Sequence, residues 1–179
     1  YKLMGLAPYG NPESAAVARY TNIIWDNLVV QHEDGSFALN QTYFNYATGS
    51  TMTNNVLWER IFGLRRKEPD EALTQAHCDL ALAIQNVTET LVLGVIRYAQ
   101  TTTRSENLCL AGGVALNCVA NNVIRKAGIF KNIWVQPAAG DAGGALGAAL
   151  AASYIYFDVP RIVETPDSMR GAYLGPAYS

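Results

Sequence analysis

The chain has 179 residues and a net charge of −2, half of them hydrophobic and only 16% charged. That suffices for one domain with a core, and it is too apolar for a disordered chain and too poor in Gly and Pro for a fibrous one. Without an excess of positive charge there is no general attraction to phosphate backbones, which argues against a nucleic-acid-binding module built on a basic face.

Apolar runs are cut by Gly, Asn, Arg or Asp before they reach membrane-spanning length. Cys78, Cys109 and Cys118 form no CxxC pair and read as small hydrophobes of a reducing compartment. The expectation is a soluble, cytoplasmic protein that meets neither nucleic acid nor membrane. The chain opens at Tyr1 without an initiator Met, and the reading is a piece of something larger.

Asn11-Pro12-Glu13 predicts a helix start, with Asn11 as N-cap and Pro12 in the first turn, running to about Trp25. Leu28 to His32 and Phe37 to Asn40 flank an Asp34-Gly35 turn, a β-hairpin signal. Thr42 to Tyr46 is expected as a third strand. After a polar break, Val56 to Phe62 predicts a short amphipathic helix ending at Gly63, followed by the charged run Arg65 to Asp70, expected to be solvated surface. Leu80, Ile84, Val87, Leu91, Val95 and Tyr98 recur at helical spacing and predict one face of a long helix.

Asn107 to Ala111 is a short apolar strand ending in Gly112-Gly113. A helix from about Ala115 to Lys126 stops at Gly128, Ile133 to Val135 forms the next strand, and Asp141 opens a helix of small residues to about Tyr156. Residues 157–179 contain Pro160, Pro166 and Pro176 and read as an extended exit segment. Three strands, a long helix and then βαβα predict an α/β fold: one mixed sheet flanked by helices.

Two segments carry the candidate chemistry. At Gly112-Gly113 the missing side chains let a ligand approach the backbone, and the N–H groups of the following helix start suit an anion. A tight strand-to-helix turn explains a glycine pair equally well. Asp141 follows a strand at the carboxyl edge where ligands collect in open α/β sheets. A simple helix cap is the competing explanation, and one carboxylate cannot hold a metal alone. His32 lies on the hairpin, where it is expected to be exposed, and His77 at a helix start, where local capping or packing is expected rather than ligation. Asn40-Gln41-Thr42 and Asn86-Val87-Thr88 match the glycosylation pattern but are discounted. No hydrolase motif is present.

Lys2 to Gly10, Ala111 to Asn121 and Gln136 to Ala149, with Ala172-Tyr173-Leu174-Gly175-Pro176, resemble in order the signatures of the O-carbamoyltransferases of the NodU, cephalosporin carbamoyltransferase and TobZ type. Asn122 departs from them, standing where many members carry Gly. The resemblance implies one half of the duplicated ribonuclease-H-like fold of actin, sugar kinases and Hsp70. Residues 1–156 would be the second half of a TsaD-like transfer domain, and 157–179 would lead to a YrdC-like domain.

It further implies ATP-dependent transfer of carbamoyl from carbamoyl phosphate, through a carbamoyl-adenylate, to a hydroxyl of a small molecule or sugar. Asp141 would then be a ligand of iron or another divalent metal, its partners being two histidines of an upstream HxxxH helix. Gly112, Gly113 and Asn117 match the nucleotide-binding segment. Gly5 and Gly10 would sit in a loop lining the same cleft. Partners are the hydroxyl acceptor, the rest of the polypeptide and, as one option, a second copy; no catalytic base is assigned. A tRNA threonylcarbamoyl-type transferase and a non-catalytic module keeping the fold are the alternatives.

Overall fold

The computed structural model describes residues 2–163, 169, 172 and 175–178. They form two compact units, one from Tyr1–Arg104 with Asn122–Ile129 and one from Ser105–Asn121 with Phe130–Ser179. The architecture is mixed α/β, with six α-helices and four short strands among the described residues.

In the first unit, α1 (Lys2–Leu6) runs into a 3-10 turn (Ala7–Tyr9), so the segment expected as a loop is helical. Helix α2 (Ala15–Asn27) begins later than predicted. Its cap is Ser14, whose Oγ accepts from the Ala16 N–H at 3.1 Å. Asn11 is drawn away from the capping role, because its N–H donates to Asp79 Oδ1 at 2.9 Å and its own side chain closes a turn on Glu13. Strands β1 (Val29–Gln31) and β2 (Phe37–Leu39) pair antiparallel as the hairpin signal predicted, with Gly35 in the left-handed region at the turn.

The expected third strand is a 3-10 turn (Gln41–Tyr43) followed by a single bridge between Phe44 and Thr53. The Asn40 side chain accepts from the Thr42 N–H at 3.2 Å, and this local bond bends the backbone out of strand geometry. Helix α3 (Asn55–Phe62) is capped by Asn54 and ends at Gly63 with φ 66, as read from the sequence.

Helix α4 (Gln75–Thr103) packs against α1 and α2. With 29 residues and a mean hydropathy of 1.4 over its most apolar stretch, it is long and apolar enough to cross a membrane, against the sequence expectation. In this structure it is the central helix of the unit. Val17, Tyr20, Ile24, Phe62, Val87 and Leu91 form the core around it, with Tyr20 and Phe62 edge to face at 5.8 Å. The predicted face of α4 is only partly right: Val87 and Leu91 are buried, whereas Val95 and Tyr98 are exposed and Ile96 turns inward. The charged run from Arg65 to Asp70 is largely solvated, with Arg65 paired to Glu71.

The second unit holds β3 (Asn107–Leu110) and β4 (Asn132–Val135), paired parallel with Leu108 opposite Ile133 and Leu110 opposite Val135. One mixed sheet was expected; two separate two-stranded sheets are present among the described residues. Alternation of side chains predicts each strand's faces, but it carries no information on which strands pair. A 3-10 turn (Gly113–Leu116) precedes α5 (Cys118–Ala127), whose carboxyl end belongs to the first unit. Helix α6 (Gly143–Ala151) starts two residues after Asp141 and passes into one π-helical turn (Ala152–Tyr156).

Cys109 and Cys118 are exposed and Cys78 half-buried, so the cysteines do not serve as core hydrophobes. Residues 157–163 carry neither helix nor strand, and Asp158 stands in the left-handed region with φ 49. Pro166, Tyr173 and Leu174 of the expected exit and motif lie outside the described residues.

Candidate functional site

Parallel pairing of β3 and β4 brings the chain out of both strands at one edge. The Gln136 N–H donates to Leu110 O at 3.0 Å and continues the ladder one step beyond the strands. Past it, the two loops are tied together, the Gly112 N–H donating to Ala139 O at 2.8 Å. Gly112 has φ 98 and ψ 163, a region open only to glycine, so this residue is required by the backbone itself. Space is open where a Cβ would stand on either Gly112 or Gly113. Among the described residues, the N–H groups of Gly113 and Val114 find no protein acceptor. An exposed turn of glycine backbone with unpaired donors can approach an anion closely.

Asn117 has a structural task beside that turn. Its Oδ1 accepts from the Ala120 N–H at 3.1 Å and caps α5, while Asn121 reaches back with its amide to Ala115 O at 2.7 Å. These bonds hold the 3-10 turn against the helix start.

Asp141 follows β4 through Pro137 to Gly140. Backbone bonds from Gly143 to Gly140 O and from Gly144 to Asp141 O, both 3.0 Å, wind the first turn of α6. The Asp141 carboxylate is exposed and makes no hydrogen bond among the described residues, so it does not cap that helix. Gly143 is a packing glycine, since a Cβ there would stand 2.1 Å from Ala138 O. A shallow cavity of about 260 Å³ opens beside this turn, lined by Ala111, Gln136, Ala139, Gly140, Gly144 and Leu146. Gln136 is its polar wall, with Oε1 accepting from the Ala138 N–H at 3.2 Å. In the sequence Gln136 is marked only as a polar side chain directly after an apolar strand.

Gly5 and Gly10 lie in the other unit. Gly5 is exposed in α1 with open space around it. Gly10 is pressed against α4, because a Cβ would meet Leu82 Cβ at 2.6 Å and Cys78 O at 2.8 Å. Its missing side chain thus serves close packing of the turn on the helix. Asp79 of α4, missed by the sequence reading, pins this segment. It is buried, and its Oδ1 accepts from the Asn11 N–H and from Gln75 Nε2 at 2.8 Å; Gln75 also donates to Tyr9 O at 3.0 Å. Burial raises the Asp79 pKa, but the bonds from Asn11, Gln75 and Ser14 outweigh it and hold the carboxyl below its usual range.

His77 accepts from the Thr74 N–H at its Nδ1, 3.1 Å away, the capping role expected of it, and His32 is exposed. Among the described residues no three His, Cys, Asp or Glu side chains gather as a metal site.

The family model described as "Carbamoyltransferase N-terminus" matches residues 1–150. The protein sll1178 of Synechocystis sp. is 53% identical over the whole chain, which covers 28% of that protein. Nodulation protein NolO of Bradyrhizobium diazoefficiens is 37% identical over 86% of the chain and 25% of its own length. Nodulation protein U of Azorhizobium caulinodans is 26% identical over 93% of the chain and 31% of its length. The chain thus spans between a quarter and a third of these relatives.

Proposed function

The chain belongs to the carbamoyltransferase family, and from that premise we propose that the protein moves carbamoyl from carbamoyl phosphate, through a carbamoyl-adenylate made with ATP, to a hydroxyl of a small molecule or sugar. In this reading residues 1–156 are the second half of a ribonuclease-H-like transfer domain, working in the cytoplasm beside a YrdC-like domain that makes the adenylate. The observation that carries the reading is the shared edge of β3 and β4, where the Gly112–Ala139 hydrogen bond ties the glycine turn to the loop bearing Asp141.

The chemistry asks three things of such an edge. A carbamoyl-adenylate is already activated by its AMP leaving group, so the protein must hold the mixed anhydride, polarise its carbonyl and align the acceptor oxygen. Gly112 and Gly113 offer approach without side chains, and the unpaired N–H groups of Gly113 and Val114 suit a phosphate oxygen. Asn117 positions that turn by capping α5.

The metal that the family resemblance implies was tested on the donor set. Asp141 is suitable as one ligand, being an exposed carboxylate free of any capping duty. A divalent ion needs two or three more, and the described residues supply no such set. The described residues by themselves do not make the site, and no step is routed through iron. Asp141 remains the proposed ligand, to be joined by two histidines of an upstream HxxxH helix.

The test is Asp141→Ala in the full-length protein, assaying transfer to the acceptor and carbamoyl-adenylate formation separately. Loss of transfer with adenylate formation retained supports the reading. Wild-type transfer together with wild-type metal content removes Asp141 from the site.

A further inference from the structure

The first unit has a recess of about 210 Å³ between α3, the loop after it and the first turn of α4. Its floor is aromatic: Trp58 and Phe62 pack with ring centres 5.3 Å apart, Trp58 is held by its Nε1–H donating to Tyr43 O at 2.8 Å, and Leu80 closes the side. Its rim is cationic, carrying Arg65, Arg66 and Lys67 against the single carboxylate of Glu59. The loop that supplies these cations also carries Glu68, Asp70 and Glu71, so what matters is which cations are left unpaired.

The three cations are not equivalent. Arg65 is neutralised by Glu71, and Lys67 is turned onto the carbonyls of Glu68 and Pro69 at 2.7 and 3.2 Å. The Arg66 guanidinium has no partner among the described residues, while its backbone N–H donates to Glu59 Oε1 at 3.0 Å and fixes the loop. His77 adds a donor. The Thr74 N–H can only donate, so Nδ1 must accept and the neutral ring carries its proton on Nε2. The recess also lies at the amino end of the 29-residue α4, where the helix dipole favours negative charge.

We propose that this recess binds a small aromatic anion, its ring lying against the half-buried Trp58 and Leu80 and its phosphate or carboxylate head held by Arg66 and His77. The size fits one ring and a head group, below the volume of drug-sized sites. A guanidinium fork matches either head, and an apolar floor rewards the ring. The inference uses none of the residues assigned to carbamoyl transfer.

Calorimetric titration of the full-length protein with phenyl phosphate and with benzoate tests it, the two probes separating the head groups. At least one is expected to saturate at one equivalent with a Kd below about 1 mM. Arg66→Glu, on an exposed loop whose backbone bond to Glu59 the change spares, should weaken that binding at least tenfold. Benzyl alcohol and inorganic phosphate, each lacking one half of the ligand, should bind at least tenfold more weakly. Failure of both probes to saturate, binding that Arg66→Glu leaves unchanged, or inorganic phosphate binding as well as phenyl phosphate would each overturn the proposal.

Discussion

The two units use the same alphabet of small and apolar residues to opposite ends. In the first, α2, α3 and α4 close on one another, and Tyr20, Ile24, Phe62 and Val87 are buried almost completely. Even its buried charge, Asp79, is supplied with donors. In the second, both strands alternate between exposed and half-buried, α6 buries no residue, and Trp134, Leu150, Tyr156 and Phe157 remain open to solvent. Yet the second unit carries the glycine turn and the unengaged carboxylate. Packing is concentrated where the chain is closed, and candidate chemistry lies where backbone and carboxylate are left unsatisfied.

Phe62→Ala should break the first unit most severely. Removing a core ring that is 2% exposed should cost about 3–5 kcal/mol, read as a fall in the urea midpoint. Trp134→Ala, 48% exposed, should cost less, about 1–2 kcal/mol in the same experiment, since only about half of the side chain is buried and its loss leaves no closed cavity. Equal costs would end the contrast between a closed and an open unit.

Gly112→Ala sharpens the other side of the comparison. Forcing an L side chain to φ 98 should cost about 1–3 kcal/mol in local strain. Gly113→Ala, with open space and no such φ, should leave folding unchanged. If the turn binds the adenylate, however, Gly113→Ala should still weaken nucleotide affinity in the full-length protein.

Asp79→Asn examines the buried charge. Hydrogen bonds to a charged acceptor are worth about 1.5–3 kcal/mol, and part of that should be lost at pH 7. The folded pKa lies below the unfolded value, so the charge stabilises above about pH 4 and its contribution is lost as pH falls through the folded value. The stability gap between wild type and Asp79→Asn should therefore narrow below about pH 4, a trend that acid titration of the urea midpoint would reveal. A gap independent of pH would make the role of Asp79 steric.

The smallest effect is chemical. Cys109 and Cys118 are exposed and Cys78 is half-buried. A thiol reagent should modify two cysteines rapidly and the third slowly, without unfolding the chain.

Much of this was legible in the residues alone. Helix α3 with its Gly63 stop, the Asp34-Gly35 hairpin, the long helix, and the strand–glycine and strand–aspartate junctions are local patterns, governed by spacing and turn chemistry over a few positions. The family was legible as well, because three separated motifs appear in order. What depended on partners distant in sequence was not. Asn11 lost its capping role to a carboxylate 68 residues away. The hairpin and the parallel pair stayed separate, and Gly10 became a packing contact on α4. Periodicity states which face of an element is apolar, but pairing and close approach are properties of two elements at once, so only the tertiary structure could decide them.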